Sequence, residues 1–111
     1  METKQVADVI IRQLGGYGRL ESMTGAKNFV YGENDKNDPY VQFRIGRNDK
    51  RVNMVKGTLN ANDTYWVEFL WATVKKTTVR ELCYIHADQL VGVFESETGM
   101  YLYFNAGHGI I

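Results

Sequence analysis

At 111 residues, 44% apolar and 13% aromatic, the chain can bury roughly two thirds of its unfolded surface in one domain and is too short for two independent cores. This content of hydrophobic side chains excludes a disordered chain. Thirteen Lys and Arg against thirteen Asp and Glu give a formal net charge of zero, yet nine of the basic and only four of the acidic residues lie between positions 36 and 80, whereas Glu81 onward holds four acids and no Lys or Arg. Such segregation says more about partners than the total does.

The longest apolar run near the start, Val9 to Ile11, is too short for a signal-peptide core. No stretch reaches the ~20 apolar residues that span a bilayer. Cys83 is the only cysteine, so no intrachain disulfide can form. A small domain resting on its core alone fits a reducing compartment, and the expected location is the cytoplasm.

In chain order, Val6, Val9, Ile10 and Leu14 recur at helical spacing after Thr3, a candidate N-cap, and Gly15-Gly16 ends the segment, which predicts a helix over 4–14. Gly15-Gly16-Tyr17-Gly18 and Gly25-Ala26-Lys27 lack the strand and the Gly-Lys-Ser/Thr of a phosphate loop, so they read as a helix stop and a connection. The period then becomes two. Val41, Phe43 and Ile45 alternate with Tyr40, Gln42 and Arg44, and further strands are expected over 28–32, 52–59, 64–72 and 77–84. Asn62-Asp63-Thr64 reads as a hairpin turn. Ala87, Leu90, Val91 and Phe94 restore helical spacing up to Gly99, with Gly92 an unfavourable interior residue. The expected fold is α+β: an antiparallel meander of about five strands with an N-terminal and a C-terminal helix packed on one face, residues 1–111 forming a single domain.

Residues 64–72 are apolar on both sides, with Trp66 and Leu70 opposite Tyr65, Val67, Phe69 and Trp71. With helices on one face, Trp66 and Leu70 need cover from sheet curvature, from the tail 100–104, or from another molecule, and so they mark a candidate partner or dimer face. In a meander, alternate loops share an end of the sheet. Arg47, Lys50, Arg51, Lys75 and Lys76 are therefore expected on one rim with Asp49 as the lone acid. Glu33, Asp35, Asp38 and Asp63 are expected on the other with Lys36. The basic rim is the candidate macromolecule-binding site, for phosphates of a nucleic acid or, by charge steering, for a protein.

Cys83, His86 and Asp88 are the only cluster with a catalytic flavour, but strand alternation groups Cys83 with Glu81 and Ile85 as a buried hydrophobe, and Asp88 suits a helix start. His108, between two glycines, is weaker still. The run 33–38 has Asp38 where a calcium loop needs glycine and no glutamate where one should close it, so it reads as a solvated turn before Pro39. No catalytic residue, metal site or cofactor is expected.

Met23-Thr24-Gly25-Ala26-Lys27-Asn28-Phe29-Val30-Tyr31, then Thr58-Leu59-Asn60-Ala61, Asp63-Thr64-Tyr65, Val67-Glu68-Phe69, and finally Val93-Phe94-Glu95 and Glu97-Thr98-Gly99 with Tyr101 resemble a family of short uncharacterised proteins encoded by bacteriophages and prophages. The segments 46–51 and 105–111 depart from that pattern. The resemblance implies an accessory role in the host cytoplasm and carries over no activity, cofactor or binding residue. Two functions follow as expectations. The first is a non-enzymatic protein that binds a host or phage macromolecule, a protein first and a nucleic acid second, including the case of an inhibitor of a host defence system. The second is a small enzyme or ligand-binding domain with a pocket between sheet and tail, using Tyr, Trp and His86. A homodimer is a further expectation.

Overall fold

The computed structural model describes residues 2–102. Helices α1 (Thr3–Gln13) and α2 (Tyr17–Thr24) precede five strands, β1 (Lys27–Glu33), β2 (Pro39–Arg44), β3 (Met54–Leu59), β4 (Tyr65–Ala72) and β5 (Thr77–Ile85), and a 3-10 turn (Ala87–Gln89) leads into α3 (Leu90–Thr98). The sheet runs in sequence order with every pair antiparallel. The expected α+β meander is therefore present.

Alternation decides which face each side chain takes. Val41, Phe43, Val55, Val67 and Phe69 point one way and close a single core with Val6, Ala7, Ile10 and Ile11 of α1 and Leu90 and Phe94 of α3. Gly57 lies under α1, where an added Cβ would stand 3.6 Å from Ile10. Phe43, Phe69 and Phe94 are fully buried, each stabilising by on the order of 2 kcal/mol relative to exposure. Among the described residues no helix covers the opposite face. Its rows follow from the register: Val30, Gln42, Lys56, Glu68 and Glu81 across the middle, Tyr40, Thr58 and Trp66 beside them, and Arg44, Met54, Leu70 and Val79 on the other side.

Four expectations need correction. The N-cap of α1 is Glu2, whose backbone N–H donates to Gln5 Oε1 at 3.0 Å, and Thr3 is already helical. The connection after Gly15-Gly16 is the helix α2. Only Leu20 and Thr24 of its eight residues are buried, too few to write a stripe. It is held from outside: Tyr17 Oη donates to Asp8 Oδ1 of α1 at 2.9 Å, Arg19 Nη1 donates to the Leu102 carbonyl at 2.9 Å, and Gly25 ends it at φ 71°. Cys83 is exposed rather than buried. A bulge in β5, where Val67 faces Leu82 and Tyr65 faces Ile85, places Tyr84 at φ 58° and shifts the alternation, so Ile85 turns into the core while Cys83 stays outside. Finally, the tail does not cover Trp66 as far as it is described. Met100 packs on the core, Leu102 is fully buried, and the Leu102 N–H donates to Glu95 Oε2, all on the helical side. Phe104 and His108 lie outside the described residues.

Candidate functional site at the basic end of the sheet

Two loops meet beyond the ends of β2 and β4, and asparagines fix both. Within the β2–β3 loop, Asn48 Nδ2 donates to the carbonyls of Gly46 at 2.9 Å and Val52 at 2.6 Å, while its Oδ1 accepts from the Val52 N–H at 3.0 Å. Asn53 then ties this loop to the end of β4. Its Nδ2 donates to the Ala72 carbonyl at 2.7 Å, its Oδ1 accepts from the Ala72 N–H at 2.9 Å, and its own N–H donates to the Leu70 carbonyl at 2.9 Å. Trp71 sits between those two anchored residues. The other root of the loop rests on α2, because the Gly46 N–H donates to the Thr24 carbonyl at 2.8 Å, and a Cβ on Gly46 would stand 3.2 Å from that oxygen. In this way the helix that the sequence pattern hides sets the position of the loop.

Trp71 faces the helical side but extends past it and stays 38% exposed. Trp71 lines two adjoining grooves. One, of about 340 Å³, is lined by Lys50, Arg51, Phe69, Lys76 and Arg80. The other, of about 380 Å³, is lined by Arg47, Asn48 and Arg51, and the two share Arg51, Val52 and Trp71. Of the five expected rim cations, Arg47, Lys50, Arg51 and Lys76 are thus brought together. Lys75 lies exposed at the tip of the Thr73–Lys76 turn and lines neither groove. Arg80 joins them, and its guanidinium is tied to the Glu97 carboxylate and to the Glu97 carbonyl at 2.7 Å. Among the described residues Arg47, Lys50, Arg51 and Lys76 form no ion pair. Arg51 also adopts φ 56°, a left-handed conformation that costs an ordinary side chain about 1–2 kcal/mol.

The opposite end is built differently. The loop 34–38 and the turn 60–64 surround Trp66, in grooves of about 490 and 360 Å³ that also receive Asp38, Lys36, Glu68, Glu81 and Cys83. Asn34 organises the first loop, its Oδ1 accepting from the N–H groups of Lys36 and Asp38, both at 2.9 Å. Asn62 organises the second, accepting from the Thr64 N–H and hydroxyl. Trp66 and Leu70 are half-buried on the helix-free face. The Trp66 indole N–H and the Thr58 hydroxyl beside it are shielded and find no hydrogen-bond partner among the described residues. Burial raises the Glu68 carboxyl above the usual range, with Lys56 opposing and Glu81 adding to the shift. Lys56 in turn lies 4.3 Å from the centre of the Tyr40 ring.

The remaining candidates are structural. The His86 N–H donates to Gln89 Oε1 at 2.8 Å and opens the 3-10 turn, in which Asp88 is exposed. Among the described residues no three His, Cys, Asp or Glu gather as metal ligands, and no helix is long and apolar enough to cross a membrane. Asn48, Asn53 and Arg80 were not legible as site residues. Asn48 and Asn53 resemble any loop asparagines, and only the face assignment of β5 places Arg80 beside Trp71.

No known protein family, curated protein or solved structure matches the chain.

Proposed function

We propose that this chain is a non-enzymatic accessory protein of the phage and prophage kind, acting by binding an anionic surface of a host or phage macromolecule through its basic end. The observation that carries this reading is the unanswered charge around Trp71: Arg47, Lys50, Arg51 and Lys76 share the walls of two joined grooves with no described acid paired to them. Uncompensated cations on a loop framework already fixed by hydrogen bonds need little reorganisation to meet phosphates or carboxylates, and they steer encounter with them. Inhibition of a host defence complex is one role such a surface serves, by occupying a charged groove of that complex.

Retention on immobilised heparin tests the anionic reading without presuming bases or a protein. The wild-type protein is expected to be retained at low salt and released as salt rises, and a variant with Arg47, Lys50, Arg51 and Lys76 changed to alanine is expected to flow through with its fold intact by circular dichroism. Equal elution of the two proteins would contradict the proposal.

A further inference from the structure

The basic end holds more than charge. Trp71 is the more exposed of the two tryptophans, 38% open, and it lines both of two adjoining grooves of about 340 and 380 Å³. Each groove is at the small end of ligand clefts, which run from about 300 to 1,000 Å³, a scale that suits a nucleotide and not the width of a duplex. Cations line both grooves, with Lys50, Lys76 and the Glu97-paired Arg80 along one, Arg47 along the other and Arg51 common to both. The backbone beneath Trp71 is held through Ala72 by both ends of the Asn53 amide, so the ring is presented from a fixed strand end.

Building on the anionic reading above, we infer that the ligand of this end is single-stranded nucleic acid, laid across Trp71 with a base on the indole and its neighbouring phosphates on the flanking cations. A cationic track interrupted by an aromatic platform is what unpaired strands require, since every base has a face to stack and every linkage a charge to meet. A duplex keeps its bases stacked on one another and offers the indole nothing. An acidic peptide answers the cations but has no planar face to offer Trp71. The left-handed Arg51 fits the same account, because a residue held at an unfavourable φ at the junction of the two grooves is strain kept at a working position.

The test is anisotropy with a labelled dT decamer, the matching duplex and polyglutamate of similar charge, followed in parallel by tryptophan fluorescence. The decamer is expected to bind ahead of the other two, to quench fluorescence, and to weaken with salt at a slope of about −2 to −3 in log K against log salt, as for three or four single-strand phosphates. Trp71→Ala should weaken it about five- to hundredfold, and Trp71→Phe, which keeps a stacking ring, should retain binding within a few-fold while abolishing most of the quench. Binding of polyglutamate or duplex equal to that of the decamer, or a Trp71→Ala protein that binds like wild type, would overturn the single-strand inference and leave the anionic reading standing. No binding to heparin, decamer or polyglutamate would overturn both. Should Trp71→Ala fail to fold, the quench and its loss in Trp71→Phe decide the matter.

Discussion

Both ends of the sheet set a tryptophan between two charged loops, and the difference between them lies in whether both signs of charge share the groove walls. At the acidic end, Lys36 and Lys56 line the same grooves as Asp35, Asp38, Glu68 and Glu81, and the Trp66 N–H is shielded from solvent. At the basic end, four cations share walls with an exposed ring, and Asp49 is the only acid on either loop. A zero net charge is thus compatible with a strongly directed surface, because cations and carboxylates gather at opposite ends of the sheet.

The largest effect is expected at the Asn53 clamp that holds the basic end together. Asn53→Ala removes two hydrogen bonds from Ala72 and leaves that residue's backbone groups without their partner, so we expect about 2 kcal/mol of lost stability in urea unfolding, together with weaker heparin retention. Unchanged retention in the folded variant would show that the loop is placed without the clamp. Arg51→Asn separates stability from binding. Asparagine tolerates the left-handed conformation that Arg51 adopts, so the urea midpoint should rise by up to about 1 kcal/mol equivalent while retention falls. If both quantities fell, the strain at this position would not be what the φ angle implies.

At the acidic end the expected effect is smaller and depends on pH. Burial holds the Glu68 pKa above its ordinary value, so the folded state binds its proton more tightly than the unfolded chain. Stability from this group is therefore full below about pH 4.5 and lost as pH rises through the folded pKa. Glu68→Gln should stabilise by a few tenths of a kcal/mol at pH 7, with the gain vanishing near pH 4 in thermal melts. A loss of stability at pH 7 would mean that attraction to Lys56 outweighs the burial.

Much of the fold was legible because its signals are local. The alternation of Val41, Phe43 and Ile45, the turn at Asn62 to Thr64, and the helix stop at Gly15-Gly16, at φ 113° and 97°, each need only neighbours in sequence. The sharing of an end by the loops 46–51 and 73–77 followed from the meander, and the Asn53–Ala72 bonds now show it directly. What escaped the sequence depends on distant partners. Helix α2 has almost no apolar stripe and is held by Asp8 and Leu102. The bulge that turns Ile85 to the face opposite Cys83 has no glycine to announce it and relies on Tyr84 at positive φ. Trp71 was placed on its correct side, but its exposure follows from how far the helical layer extends, which no pattern within β4 encodes.

Binding at the basic end can be read residue by residue from the two indole N–H resonances, with the backbone amides, in a heparin titration of isotope-labelled protein. The Trp71 signal and the amides of 46–53 and 71–80 should shift together while Trp66 and the loops 34–38 and 60–64 stay in place. Shifts centred on Trp66, or none at either tryptophan, would contradict it.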